Sequence, residues 1–524
     1  MQTTPKRILW VDDEVELFEP HLLFLRQRGY HVDTTTNGDD ALALIQRQSY
    51  DLVLLDEQMP GRRGLDLLGT LRREGPYARV VMVTKSEEDH TLTEAVGRQV
   101  DDYLVKPASP RQVLSVVTRL LEGMQLRQQQ TARDFAARFP VLARLRDEAA
   151  DWRAYFALYS ELTEWHLRLH GAREHGLADT VDALLGDVRR EFGAYVVRSY
   201  AGWTARAASA ADRPPLSTDV VARFLVPRLD EGALLFMIID CLRLDQWRAL
   251  LPLLLPYFHL SEELYASILP TATPYARNAL FSGLFPDDIA RRRPSWWKRD
   301  EGSRNAFEDT LLREQLERLS GRAIPVRYEK VFSEADADER VGRIRNALQS
   351  GGVVAMVFNF VDLMTHGRSE SAVLREVARD VPALRALTVQ WFERSAALRV
   401  LREAAAQGVT VVVTSDHGSI LCDRPVTVFA RRDATSNLRY KFGQDLRAEE
   451  PSAVFAINDE RVLRFPPGPL STNYLLALED RFFVYPTKLR EYQARYRGSF
   501  LHGGVSPEEM ILPVAVLTPR SARS

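Results

Sequence analysis

Short, mostly apolar runs that each stop at a polar side chain recur along residues 7–122. Ile8–Val11 stops at Asp12 and Asp13, Asp51–Leu55 at Asp56, Val80–Val83 at Thr84, and Tyr103–Val105 at Lys106. Runs this short without clean alternation read as strands buried on both faces, and helix-like periodicity follows each one. The rhythm predicts a doubly wound α/β domain, in which ligands collect at the carboxyl ends of the strands. Three carboxylates gathered at such an edge repel one another. A hard cation such as Mg2+ relieves this with oxygen ligands and exchangeable waters. Asp56 is then the nucleophile toward phosphorus, Lys106 the counter-charge of the new phosphate, and Thr84 its hydrogen-bonding neighbour. A phosphoryl group adds about two negative charges, enough to draw Thr84 inward and change the packing of Tyr103.

The run Leu-Val-Leu-Leu-Asp56-Glu-Gln-Met-Pro60, with Gly64 and Val-Lys106-Pro107, resembles the response-regulator receiver family. The resemblance implies a flavodoxin-like (βα)5 fold over residues 1–122. It also implies Mg2+ held by Asp13, Asp56 and the backbone carbonyl of Gln58 beside Asp12, and a sensor histidine kinase as phosphodonor. A lone aspartate after a strand usually caps a helix; five polar residues at the right strand ends favour the receiver. Lys85 is bulkier than the small residue common after the threonine, which bears on access to the phosphate.

From 123 to 210 the composition shifts to Gln, Arg, Ala, Leu and Glu, with apolar residues recurring at three and four, which predicts a helical module. His166 and His170 stand four apart on it, and with no third ligand type evident nearby they are expected to face solvent. Ala207–Thr218 reads as a linker. The strand–helix rhythm then returns over 218–519, with strand-like runs at Leu234–Ile239, Val353–Phe358 and Val409–Thr414. Metal-ligand types follow these runs: Asp240, then Asp362 with His366, then Asp416 with His417. Thr271 and Thr273 lie in a loop entering a helix, and His502 sits in Phe-Leu-His-Gly-Gly. Carboxylate with imidazole suits Zn2+ or Mn2+ better than Mg2+ or Ca2+. Two such ions serve an in-line displacement, one at the attacking oxygen and one at the leaving oxygen. A threonine hydroxyl needs this activation, and a helix N-terminus adds donors for a phosphate.

The order Asp, Thr, Asp-x-x-x-His, Asp-His, His, with Thr-Ala-Thr-Pro-Tyr-Ala-Arg-Asn-Ala and the late His-Gly-Gly, resembles the PglZ branch of the alkaline phosphatase superfamily. The resemblance implies an α/β domain with a central, mostly parallel sheet. It implies one zinc on Asp362, His366 and His502, another on Asp240, Asp416 and His417, and a nucleophilic threonine bridging them. Counting back from Ser282-Gly283-Leu284, as in the superfamily's nucleotide pyrophosphatase/phosphodiesterases, favours Thr273, with Thr271 the alternative. Arg277 is a candidate phosphate contact, and Asn278 a weaker one. No Cys-x-Pro-x-Arg pattern occurs, which weighs against sulfatases. The stretch Arg291–Arg299 reads either as a flank for a nucleotide-like substrate or as a surface loop with Trp296 or Trp297 docked into the core.

Several domains are expected in 524 residues. With 69 Lys and Arg against 71 Asp and Glu, no global footprint for duplex DNA exists. Two cysteines, and neither an apolar leader nor a run long enough for a span, point to the cytoplasm and away from a membrane. Receiver, helical module and PglZ-type domain in this order resemble response regulators linked to type IX secretion. That resemblance implies dimerisation on phosphorylation, a zinc-dependent phosphodiesterase activity on oligonucleotides including cyclic oligoadenylates, and an extracytoplasmic-function sigma factor as partner. The alternative is a catalytically silent zinc-binding regulator acting through that sigma factor.

Overall fold

The computed structural model describes residues 6–59, 64, 67–68, 79–84, 100–172, 174–206, 208–209, 211–297, 305–332, 337–430, 435, 437–465 and 472–520. Pro60, Lys85, the side chain of Trp297 and residues 298–299 lie outside them. The chain divides into two compact units, residues 1–135 with 172–174, and residues 136–171 with 175–524.

In the first unit, β1 (Arg7–Val11), β2 (His31–Thr35), β3 (Leu52–Asp56), β4 (Arg79–Thr84) and β5 (Asp102–Val105) pair in parallel in the order β2-β1-β3-β4-β5. Successive side chains leave opposite faces of a strand. Leu9, Val11, Val53 and Leu55 therefore enter one core, while Ile8, Trp10, Leu52 and Leu54 enter the other. Two covered faces explain why the β3 sequence shows no alternation. The helix Pro110–Leu121 starts on a capping box between Ser109 and Gln112. The strand order reverses between β1 and β3, and Asp12 and Asp56 flank that crevice.

The second unit holds a six-stranded sheet of β6 (Leu234–Ile239), β7 (Phe258–Ala266), β8 (Val326–Val331), β9 (Val353–Phe358), β10 (Thr410–Thr414) and the late strand Ile511–Pro519. The order is β7, Ile511–Pro519, β10, β6, β9, β8. The last four are parallel, and Ile511–Pro519 runs antiparallel between β7 and β10. β6 and β9 are buried throughout, as strands covered on both faces must be. The register pairs Ile239 with Phe358 and Ile238 with Thr414. Asp240, Asn359 and Ser415-Asp416 therefore emerge side by side at one carboxyl edge.

The helices Trp152–Gly171 and His175–Thr204 belong to this second unit. The first packs on the second and also on the helix Leu244–Leu254, which is why it buries Tyr155, Phe156, Leu158, Tyr159, Leu162 and Trp165 on more than one face. Arg248 donates to the Ser160 carbonyl at 2.6 Å, and Arg189 meets Glu508 at 2.6 Å. The stretch expected as a linker ends inside this core. Leu216 and Ser217 are buried, Pro215 accepts from the Ala266 amide, and Ser217 Oγ accepts from the Ile268 amide. Among the described residues no helix is long and apolar enough to cross a membrane.

Candidate phosphoacceptor and metal sites

At the carboxyl edge of the first sheet, Lys106 Nζ lies 2.8 Å from Asp12 Oδ2 and 2.9 Å from Asp56 Oδ2. Asp12, Asp13 and Asp56 each bring a carboxylate oxygen within 4.8 Å of the others, Asp12 and Asp56 buried and Asp13 exposed. Hard oxygen donors converging this closely fit Mg2+. Burial raises the Asp56 carboxyl above its ordinary value, and the Lys106 hydrogen bond only partly offsets this. Burial also disfavours the Lys106 ammonium, but hydrogen bonds to Asp12 and Asp56 raise it overall. The Gln58 amide is 3.4 Å from Asp56 Oδ1. Gly64 is required for space, since a Cβ there would stand 2.3 Å from the Asp56 carbonyl oxygen. Thr84 is buried at the end of β4 opposite Val105, while Tyr103 on β5 is 47% exposed.

In the second unit, Asp240 follows β6, and its amide donates to the Phe358 carbonyl at 2.9 Å. Cys241 then turns the chain with φ 65°, a left-handed conformation rare for a residue with a side chain. Asp362 and His366 sit one turn apart on the helix Phe360–Glu370. His366 Nε2 is 3.0 Å from His502 Nε2, and Asp362 Oδ1 is 3.3 Å and 3.5 Å from these two nitrogens. His417 Nε2 stands 3.7 Å from both Asp240 Oδ1 and Asp416 Oδ2. Asp362 also reaches within 4.8 Å of Asp240 and His417, so it lies between the two groups.

This donor set fits metal ions. Asp240 Oδ1 and Asp416 Oδ2 are buried and accept no hydrogen bond. His502 Nδ1 donates to the Thr271 carbonyl at 3.1 Å and His417 Nδ1 to the Gly418 carbonyl at 3.2 Å. Each ring therefore turns the lone pair of Nε2 into the cluster, as metal-binding histidines do. Burial holds Asp240 well above the ordinary carboxyl range despite Arg277, with Asp416 and Asp362 pushing the same way. Asp362 sits below its ordinary value: burial opposes this, but His366, His502 and His417 outweigh it. Burial, with His417 and His366 nearby, holds His502 well below the ordinary imidazole value.

The two threonines separate clearly. Thr273 begins the helix Thr273–Ser282, and its Oγ1 is 2.9 Å from His417 Nε2. Thr271 is buried, donates to the Gly504 carbonyl at 2.8 Å and accepts from the Gly503 amide at 3.1 Å. Arg277, expected at a substrate phosphate, is 1% exposed, with Nη1 2.6 Å from Asp240 Oδ2 and Nε 2.8 Å from Glu308 Oε1. One turn beyond Thr273 its side chain points inward, because buried carboxylates demand a counter-charge there. Asn278 is buried and donates to the Pro274 carbonyl at 3.0 Å.

Several contributors escaped the sequence reading. Asn359 Nδ2 donates to Asp240 Oδ2 at 2.6 Å, and Glu308 anchors Arg277 while accepting from the Tyr328 hydroxyl. Glu308 starts the helix Glu308–Ser320, where an acidic residue reads as ordinary dipole compensation. His166 is 5% exposed, not solvent-facing, and Asp182, from the next helix, is 3.3 Å from its Nε2. Trp296 stacks on Phe307 at 4.1 Å against the core, which favours the docked-loop reading for that residue.

A family model of the BREX system PglZ alkaline phosphatase-like domain matches residues 220–517. Models of the response regulator receiver domain and of the PorX response regulator linker domain match residues 8–118 and 125–204. AlgB of Pseudomonas aeruginosa, an alginate biosynthesis transcriptional regulatory protein, is 40% identical over 129 residues, 24% of this chain and 29% of that protein. ResD of Bacillus subtilis, a transcriptional regulatory protein, is 37% identical over 120 residues, 23% of this chain and 50% of that protein. This chain thus spans half or less of these relatives. Among solved structures, a CheY-like receiver from Methanospirillum hungatei is 28% identical, covering 23% of this chain and 96% of that one, with a TM-score of 0.22. Receiver and alkaline-phosphatase-like domain together make the chain a response regulator whose output module is of a hydrolase superfamily. It belongs to the PglZ alkaline phosphatase-like family, in the receiver–linker–PglZ order of PorX-like response regulators.

Proposed function

We propose that the second unit is a zinc-dependent phosphodiesterase for oligonucleotide-type substrates, cyclic oligoadenylates included, governed by phosphorylation of Asp56. The observation that carries this reading is the Thr273 hydroxyl on His417 Nε2, at a helix N-terminus, beside Asp240 Oδ1 and Asp416 Oδ2, buried carboxylate oxygens that accept no hydrogen bond. Asp362, His366 and His502 would hold one ion, and Asp240, Asp416 and His417 the other, with Thr273 the nucleophile beside them; Mn2+ would suit the same donors. Bound zinc lowers the pKa of a hydroxyl and neutralises charge on a transferring phosphoryl group. Thr273 Oγ1 attacks phosphorus in line, the P–O bond to the departing alcohol breaks, and the phosphothreonine is then hydrolysed by water. The positive dipole end of the helix Thr273–Ser282 favours the phosphoryl charge, although Pro274 carries no N–H and the Tyr275 and Ala276 amides are spent on the Ala272 carbonyl. Arg277 and Asn359 hold Asp240 in place.

In the first unit Asp56 takes the phosphoryl group from a sensor histidine kinase, and Asp12, Asp13, Asp56 and the Gln58 carbonyl would hold Mg2+. Lys106 and Thr84 receive the phosphate, and Tyr103 repacks. Phosphorylated chains form a homodimer in the cytoplasm, and the output bears on type IX secretion through an extracytoplasmic-function sigma factor. Incubating wild type and Thr273→Ala with bis(p-nitrophenyl) phosphate and oligoadenylates, with and without zinc, tests the enzyme. Zinc-dependent turnover in wild type alone is expected. Equal, zinc-independent background in both leaves the catalytically silent regulator instead.

A further inference from the structure

A chain of buried polar groups runs from the middle helices to the Asp416–His417 turn. Arg385 Nη1 donates to His166 Nδ1 at 3.1 Å and lies 3.2 Å from Asp245 Oδ2. Asp245 Oδ1 accepts from Arg243 Nε at 2.8 Å, and Arg243 Nη1 donates to the Ser419 carbonyl at 3.2 Å. His166, Arg385, Asp245 and Arg243 are all 6% exposed or less. Arg243 follows Asp240 by three residues, and Ser419 follows His417 by two.

The hydrogen bonds fix their own direction. A guanidinium only donates, so His166 Nδ1 accepts, and Nε2 carries the proton toward Asp182. This rules against a metal at His166, His170 and Asp182, although the three offer ligand atoms within 4.8 Å of one another. A metal-bound imidazole donates through its other nitrogen, and here that nitrogen faces a cation.

The turn that receives this chain has little freedom left. The Leu242 amide donates to Ser415 Oγ at 2.9 Å, and the Gly418 amide to the Glu509 carbonyl at 3.0 Å. A Cβ at Gly418 would stand 2.0 Å from the Glu508 carbonyl oxygen. Arg243 brings charge-assisted hydrogen bonding to that turn, and its own orientation depends on Asp245, Arg385 and His166.

We propose that His166, Arg385 and Arg243 are positioning residues through which the middle helices hold Asp416 and His417 in their ligand geometry. The catalytic half of this inference rests on the phosphodiesterase reading; the zinc half does not. The experiment uses the full chain with Arg243→Lys, which keeps a cation for Asp245 but loses the reach to Ser419, and with His166→Leu and His166→Asn. Zinc affinity is read by competition with a chromophoric chelator, and kcat and KM on bis(p-nitrophenyl) phosphate at saturating zinc.

Arg243→Lys and His166→Leu are expected to weaken one of two zinc sites by at least about 10-fold and to lower kcat at unchanged KM. His166→Asn leaves Arg385 an acceptor and restores most of both. Unchanged zinc affinity in Arg243→Lys, or a loss confined to Tm, overturns the proposal; if His166→Leu fails to fold, Arg243→Lys decides alone. A wild type without turnover refutes the phosphodiesterase reading, while the zinc competition still decides this one.

Discussion

The hydroxyl of Thr273 lies 2.9 Å from Nε2 of His417, the nitrogen whose lone pair the Gly418 carbonyl turns into the carboxylate cluster. Thr271, two residues earlier, spends its hydroxyl on the loop at Gly503 and Gly504. Thr273→Ala should therefore lower turnover on the order of a thousand-fold or more while leaving Tm nearly unchanged. Thr271→Ala should cost about 1–3 kcal/mol of stability, because it strands buried partners. Parallel kinetics and denaturation curves separate the two.

Chelation should destabilise the second unit. Buried carboxylate oxygens of Asp240 and Asp416 accept no hydrogen bond, so ions that satisfy them favour the folded chain. Free zinc at a hundred times its Kd contributes about 2.7 kcal/mol, which EDTA removes. A Tm indifferent to EDTA and to added zinc would sink the metal assignment.

Asp56→Ala should abolish labelling by acetyl phosphate and any dimer it induces. Lys106→Met should instead leave labelling measurable and weaken the response to it, because Lys106 touches both Asp12 and Asp56 but does not attack phosphorus. Phosphate-affinity gels and light scattering on the same samples report the two steps. Labelling that survives Asp56→Ala moves the phosphoacceptor elsewhere.

Lys441 gives a pH signature unrelated to the metals. Burial lowers its ammonium from 10.5 to about 8, even with the Thr435 and Asn437 carbonyls accepting from it. Between those two values the unfolded chain holds a proton that the folded chain has lost. Stability from this residue therefore rises with pH from about 8 to about 10.5, by roughly 2–4 kcal/mol. Urea unfolding of wild type and Lys441→Met across that range should show the rise in wild type alone.

The strands and the residues at their carboxyl ends were legible because both carry local signatures. Leu-Val-Leu-Leu before Asp56 and Leu-Leu-Phe-Met-Ile-Ile before Asp240 are unbroken runs that stop at a carboxylate. Asn359, Glu308 and Arg243 left no such trace, since Asp240, Arg277 and Ser419, which they reach, come from distant elements. Arg277 shows the limit most sharply. Its place one turn after Thr273 is readable, but the two carboxylates that turn it inward are 37 residues before it and 31 after it. His166 misled for the same reason: Asp182 and Arg385 reach it from other helices, and no i, i+4 pattern announces them.

The place of Ile511–Pro519 between β7 and β10 has a consequence for how the protein is made. A ribosome delivers β6 through β10 well before that strand, so the edge strand β7 waits separated from β10 by a gap one strand wide. Until residue 519 emerges, β7 and β10 expose apolar faces and unpaired backbone, the condition that invites chaperones and mispairing. His502, nine residues ahead of the missing strand, waits with it. A stalled chain thus displays Asp240, Asp362 and Asp416 without a finished sheet to hold them, and the cluster closes only after His502 and Ile511–Pro519 have joined it.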